Sequence, residues 1–178
     1  MTKTAVATAN YTGLVLAVHP TLHGFGWVLF ENTANPVAWA IVRNKHTHHE
    51  RLLASFRRLL AHYEPAVLVL EAFDSGESRR SARIQSLCRA MLREAEVRKI
   101  ERRVFERETI RAAFARFGAM TRSEIASVIA QRVDSFAHRL PPRRRIWNSQ
   151  DARQSLFDAA ALAITYYLTR PHAMMTVV

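Results

Sequence analysis

A short apolar run, a glycine-containing turn and a second apolar run near the start of the chain constrain its fold most. Residues 14–18 are wholly apolar, as expected for a strand buried on both faces, and His19 and Pro20 end the run. Residues 27–30 are apolar again after the turn. The pattern predicts a β-hairpin whose first strand holds His19 at its carboxyl end, where a rigid strand can position a polar side chain for chemistry.

The rest of the chain alternates between strand and helix patterns. A third strand at 37–42 should complete an antiparallel meander, and a fourth at 67–70, ending in Glu71, should run parallel to the first because a helix connects them. A short fifth strand is predicted at 102–105. Apolar periodicity predicts helices at 48–63, 78–99, 109–117, from Thr121 or Ser123 to Phe136, and 151–168.

Length and charge bound the class of protein. The 178 residues predict one domain over 13–170, with flexible tails at 1–12 and 171–178. A net charge of +11 favours a polyanionic partner, nucleic acid before acidic lipid, although a merely solvated basic surface would give the same number. Neither a signal peptide nor a membrane span is evident, so we expect a cytoplasmic protein without a membrane partner.

Cysteine and histidine usage gives little sign of a separate metal centre. The single cysteine, Cys88, excludes an intramolecular disulfide and is expected to be a small core residue. His46, His48 and His49 resemble a metal cluster, but they are better interpreted as a solvated helix start.

Four segments, in their order and spacing, resemble the RuvC-like Holliday junction resolvases of the ribonuclease H-like superfamily. They are VLAVHPTLHGFGWVLFE, VLVLEAF, TIRAAFARFGAMTRSEIA and FDAAALAIT, and the resemblance spans about residues 13–170. It implies an α/β fold with a mixed five-stranded sheet, in which the first three strands are antiparallel and the later ones parallel, flanked by helices.

The resemblance also implies a metal site. In that family, acidic side chains at strand ends and on the last helix hold two Mg²⁺ ions, which supply the nucleophile and the charge neutralisation that phosphodiester hydrolysis needs. Glu71 and Asp158 match two of these acids, whereas His19 and Ser155 stand where two others are expected. Histidine favours Mn²⁺ over Mg²⁺, so either ion is a candidate cofactor.

Two interpretations of this site remain open. In the first, His19, Glu71 and Asp158 bind catalytic metal, with Asp74 or Asp151 as an additional candidate ligand, and the chain is a metal-dependent, structure-selective endonuclease for branched DNA. In the second, the metal pair is lost and the fold binds branched nucleic acid without cutting. Asp151 is also explained as a helix-start acid and Asp74 as a turn residue.

Arginines provide the expected grip on DNA phosphates, because their planar fork pairs with phosphate in a bidentate manner. Phe73 matches an aromatic that can wedge against bases, or it packs in its loop. The resemblance implies a homodimer, whose interface could use the face of Ile84, Leu87, Met91 and Leu92 unless that face packs on the sheet. The predicted phosphate-binding residues are Arg79, Arg80, Arg83, Arg111, Arg122, Arg143, Arg144 and Arg145.

Overall fold

A five-stranded sheet forms the centre of the computed structural model, which describes residues 13–44, 49–74, 80–142 and 151–170. The strands lie in the spatial order β3-β2-β1-β4-β5. β1 is antiparallel to β2, β2 is antiparallel to β3, and β4 is parallel to both β1 and β5, which confirms the predicted mixed sheet. The strands are β1 (Val15–Thr21), β2 (Gly24–Phe30), β3 (Pro36–Arg43), β4 (Val67–Glu71) and β5 (Glu101–Phe105).

Helices cover both faces of this sheet. No helix in the part of the chain that the structure describes is long and apolar enough to cross a membrane. The helices are α1 (His49–Tyr63), α2 (Ala82–Val97), α3 (Arg107–Ala115), α4 (Arg122–Arg132), α5 (Asp134–Ala137) and α6 (Arg153–Thr169).

The alternation of side chains along the strands divides the core in two. Val15 and Ala17 of β1 face a core shared with α3 to α6, which we call the α6-side core. Leu16 and Val18 face a second core shared with α1 and α2. The apolar face of α2, including Leu87 and Met91, packs in this second core together with the buried Cys88, so that face covers the sheet.

β1 runs further than the sequence predicts. His19 and Pro20 lie within the strand, where they pair with Gly26 and Phe25 of β2, rather than ending it. The pairing of β1 with β4 stops at Ala17, and the carbonyl oxygen of Pro20 accepts a hydrogen bond from Arg80 instead of from a strand. The backbone N and C=O of a strand residue point toward the same neighbouring strand position. At Pro20 that position is on the β4 side, where β1 has no partner strand beyond Ala17. The N–H that proline lacks therefore removes no hydrogen bond from the sheet.

The single helix predicted up to Phe136 is divided in two. Val133 adopts an extended conformation between α4 and α5, although its side chain stays buried. The break turns the ring of Phe136 into an aromatic cluster with Phe30, Trp39 and Phe157, at centroid distances of 5.2 to 6.3 Å. Burial of these large rings outweighs the helical periodicity that the sequence displays.

Close approach of α6 to the sheet depends on Gly26 of β2. A Cβ at this position would overlap the backbone of Ser155 and lie 2.7 Å from the backbone nitrogen of Leu156. The first turn of α6 can therefore touch β2 only because residue 26 lacks a side chain. Gly26 pairs directly with His19, so this contact also sets how α6 lies against the end of β1.

We expect Gly26→Ala to lower the free energy of unfolding by about 3 kcal/mol, since a buried backbone must move to admit the methyl group. Gly118→Ala is the matched control: residue 118 has a φ of +72°, and a Cβ added there would meet no atom within 4 Å, so only the left-handed backbone penalty of about 1 kcal/mol applies. Urea titrations of both variants measure the difference. Equal losses would contradict the contact of α6 with Gly26.

Candidate active site and nucleic-acid interface

Strand alternation brings three predicted site residues to one face of the sheet. His19 has the same parity as Val15 and Ala17, and Glu71 has the same parity on β4 as Val67 and Val69, so both side chains point to the α6 side. α6 packs on this face, and the tight contact at Gly26 holds its first turns beside the end of β1. Asp158, in the second turn of α6, therefore meets His19 and Glu71.

The imidazole of His19 lies between the two carboxylates. Its Nδ1 is 3.4 Å from Oε2 of Glu71, and its Nε2 is 3.5 Å from Oδ2 of Asp158. The side chains of His19 and Glu71 are each 8% exposed and that of Asp158 is 11% exposed. No partner within the described residues gives the buried Nδ1 a hydrogen bond of good geometry. The three residues thus form a buried row of acid, base and acid.

Three arginines neutralise the two carboxylates. Arg80 donates to Oε2 of Glu71 at 2.5 Å, and Arg107 donates to Oε1 of Glu71 through Nε and Nη2, at 3.1 and 2.9 Å. Arg122 forms a bidentate pair with Asp158, in which Nε of Arg122 donates to Oδ1 of Asp158 at 3.0 Å and Nη2 donates to Oδ2. Both acids of the site are therefore held by guanidinium groups.

Local structure fixes where two of these arginines stand. Arg122 is the first residue of α4, and Thr121 caps that helix: its Oγ accepts from the backbone N–H of Glu124, while Glu124 accepts from that of Thr121. Arg107 opens α3 two residues after Phe105, which pairs with Glu71 across the parallel strands. Sequence reasoning missed Arg107. Its position just after the predicted fifth strand was the signal that could have found it.

The surroundings change the protonation of all three residues. Burial lowers the pKa of His19 to about 4, and the charges of Arg80 and Arg122 act in the same direction, against those of Asp158 and Glu71. Burial alone would raise the pKa values of Glu71 and Asp158, but the charge of protonated His19 and, after it, the neighbouring arginines hold both below their ordinary values. Near neutral pH the site therefore contains a neutral imidazole between two ionised carboxylates.

The donor set does not fit the pair of metal ions that the resemblance implies. The two nitrogens of the His19 imidazole point in opposite directions, so a metal ion on either side of the ring would find one nitrogen and one carboxylate. Both oxygens of each carboxylate already accept hydrogen bonds from arginine. Ser155 is turned away, since its Oγ donates to the carbonyl of Ala152 at 2.6 Å. Within the described ranges no group of three histidine, cysteine or acidic side chains could hold a metal ion.

The two auxiliary metal ligands considered from the sequence do not join the site. Asp74 is exposed and pairs with Arg89 at 2.6 Å. Asp151 accepts hydrogen bonds from the backbone and the guanidinium of Arg153, which lowers its pKa, in keeping with the role of a helix-start acid. Both acids therefore pair with arginines outside the site.

The wedge role suggested for Phe73 is not supported by its position. The ring is only 5% exposed and packs in the core that α1 and α2 share with the sheet. It follows β4 on a buried path, so in this conformation it offers no face on which a base can stack.

Of the predicted phosphate-binding arginines, Arg80 and Arg122 lie in the site itself. Arg111 is exposed on α3, lies 3.8 Å from Glu108 and lines a small cleft together with Glu71, Arg107, Arg122 and Asp158. Arg83 is exposed in the first turn of α2. The remaining four, Arg79, Arg143, Arg144 and Arg145, lie outside the described residues.

Comparison with known proteins identifies the fold. No family model and no curated protein sequence matches the chain. Among solved structures, RuvC of Thermus thermophilus is similar to it with a TM-score of 0.64 and 16% identity, over 87% of this chain and 93% of that one. The chain has the RuvC fold.

Two further structures agree. T. thermophilus RuvC in complex with a Holliday junction substrate gives a TM-score of 0.64 at 15% identity, over 87% of this chain and 92% of that chain. The yeast mitochondrial Holliday junction resolvase Ydc2 gives 0.54 at 13% identity, over 91% of this chain and 82% of that chain. At these identities the likeness to RuvC and Ydc2 establishes a shared fold.

Protonation of His19 should make the folded chain sensitive to mild acid. Its pKa is about 4 when folded and about 6.5 when unfolded, so the unfolded state binds the proton first and stability falls as the pH decreases from about 6.5 to about 4. This difference in pKa corresponds to about 3 kcal/mol of unfolding free energy. Glu71 and Asp158, whose pKa values are lowered, add a further loss at more acidic pH.

Urea titrations at several pH values measure this loss. His19→Asn should flatten the part between about pH 6.5 and 4, whereas His138→Asn, at an exposed position, should leave the profile unchanged. A profile unaltered by His19→Asn would contradict a buried neutral imidazole.

Proposed function

We propose that this chain binds branched DNA of the Holliday-junction type through the arginine-rich cleft beside His19. The observation that carries the proposal is the convergence of Arg80, Arg107, Arg111 and Arg122 at one edge of a RuvC-fold sheet. A chain with a net charge of +11 also attracts a polyanion over a longer range.

Exposure of the arginine side chains supports a contact with phosphates. Arg107, Arg111 and Arg122 are 43%, 48% and 37% exposed, whereas the carboxylates beneath them are almost covered. A sugar–phosphate strand that follows the cleft would meet guanidinium groups first. Such contacts give affinity and orientation with little sequence information, which suits recognition of a DNA shape.

Binding without metal-dependent cutting is the activity that the charges favour. The arginines satisfy both remaining carboxylates, and His19 and Ser155 supply no acid at the two other positions implied by the resemblance. Metal-dependent cleavage with Mg²⁺ or Mn²⁺ is the second candidate, because Glu71 and Asp158 still meet on either side of His19.

Dimerisation forms part of the proposal. A four-way junction has two-fold symmetry, and a homodimer would present one cleft to each half of it. The apolar face of α2 considered for this contact is used within the chain, so the dimer surface has to lie elsewhere.

The chain should bind a four-way junction about tenfold more tightly than a linear duplex of the same length, measured by fluorescence anisotropy. Four phosphate contacts give a slope of about −3 to −4 when the logarithm of the binding constant is plotted against that of salt concentration. Arg111→Ala should make this slope shallower by about 1, because one phosphate contact is lost.

Arg57→Ala is the matched control, since Arg57 lies on α1 in an ion pair with Glu94 on the other side of the sheet. Equal affinity for junction and duplex, or equal slopes for the two variants, would contradict the proposed interface.

Cleavage assays with labelled junctions in Mg²⁺ and in Mn²⁺ separate the two candidates. The unmodified chain should leave the junction intact, because arginines hold both carboxylates. The double variant His19→Asp with Ser155→Asp restores the two missing acids and should gain metal-dependent cutting. Cleavage by the unmodified chain that Glu71→Gln abolishes would favour the second candidate instead.

A further inference from the structure

We propose that the cleft between β4, α3, α4 and α6 is a phosphate-binding site, in which Arg107 and Arg122 exchange a carboxylate partner for a phosphate oxygen while Arg80 stays behind Glu71. The inference rests on the proposed function. It assigns an anion, phosphate, to the position where the resemblance implies metal cations. Its ligand class is a phosphate group, either a DNA phosphodiester or a free phosphate.

Charge is the first support. Three guanidinium groups face two carboxylates, so the cluster keeps an excess of positive charge when His19 is neutral and gains more when it is protonated. An aspartate at position 19 would cancel that excess with a third carboxylate. The imidazole therefore leaves the pocket attractive to an anion.

The layering of the charges is the second support. The carboxylates of Glu71 and Asp158 lie beneath, at 8% and 11% exposure, and the guanidinium groups of Arg107 and Arg122 are the more exposed. A cation approaching along the cleft meets positive groups before any oxygen ligand. A phosphate meets donors at once.

Donor capacity is the third support. The guanidinium of Arg107 uses two of its five N–H groups on Oε1 of Glu71. Its other N–H groups make no hydrogen bond to the residues that the structure describes, so a phosphate oxygen can bind before the bond to Glu71 is released. Arg111, in the same cleft, is placed to take a second oxygen of the same or the next phosphate.

The carboxylates then act as competitors of the phosphate, and this gives a test with a diagnostic sign. Glu71→Gln removes a negative charge and releases Arg80 and Arg107, so it should tighten the binding of inorganic phosphate and of junction DNA by about threefold or more. In a cation site the same change would weaken the binding of Mn²⁺. Glu94→Gln, which removes one of the two acidic partners of Arg57 on α1, is the control with the same change in net charge.

Isothermal titration with inorganic phosphate, with junction DNA and with MnCl₂ gives three separate readouts for the unmodified chain and both variants. We expect tighter phosphate and DNA binding in Glu71→Gln than in Glu94→Gln. No effect beyond that of Glu94→Gln, or Mn²⁺ binding that depends on Glu71, would overturn the phosphate site.

The titrations also separate this inference from the proposed function. A chain that prefers junctions but shows no gain in Glu71→Gln retains the function and loses the phosphate site. A chain that binds phosphate as expected without preferring junctions loses the function alone. If Glu71→Gln does not fold, Asp158→Asn takes its place and should tighten phosphate binding through the release of Arg122.

Discussion

Two carboxylates held against a buried imidazole need compensating positive charge, and the arrangement of this site follows from how that charge is supplied. Removing one partner from a buried ion pair costs roughly 3 to 5 kcal/mol, because the remaining charge is left without compensation. Arg80, Arg107 and Arg122 provide that compensation from three different segments of the chain. The ion pairs therefore tie the ends of β4, α3, α4 and α6 together at the point where DNA is expected to bind.

The positions of these charges depend on the sheet and on one close contact. Alternation along β1 and β4 sends His19 and Glu71 to the same face, and the absence of a side chain at Gly26 lets α6 bring Asp158 to them. The capping box of α4 then fixes the start of the helix that carries Arg122. Strand alternation, one close backbone contact and one helix cap thus determine which charges meet.

Much of this fold could be predicted from the sequence, because apolar runs and helical periodicity report burial directly. The parallel pairing of β4 with β1 follows from that information, whereas the meeting of His19, Glu71 and Asp158 was implied by the resemblance. The break at Val133 could not be predicted, because it depends on aromatic rings that are distant in the chain. The pairing of Arg80, Arg107 and Arg122 with the carboxylates was not predicted either, since a basic residue on a surface and one paired with a buried acid look alike in sequence.

Arg107 illustrates most clearly what limits prediction of the site from the sequence. Its pairing with Glu71 requires the register of β4 and β5, which places Phe105 beside Glu71 and so brings the start of α3 over the carboxylate. A single-residue shift between these parallel strands would reverse which face each side chain occupies. Whether the pocket prefers a cation or an anion is therefore determined by strand register together with residue identity. A chain can keep the RuvC fold and still reverse the charge of its central site.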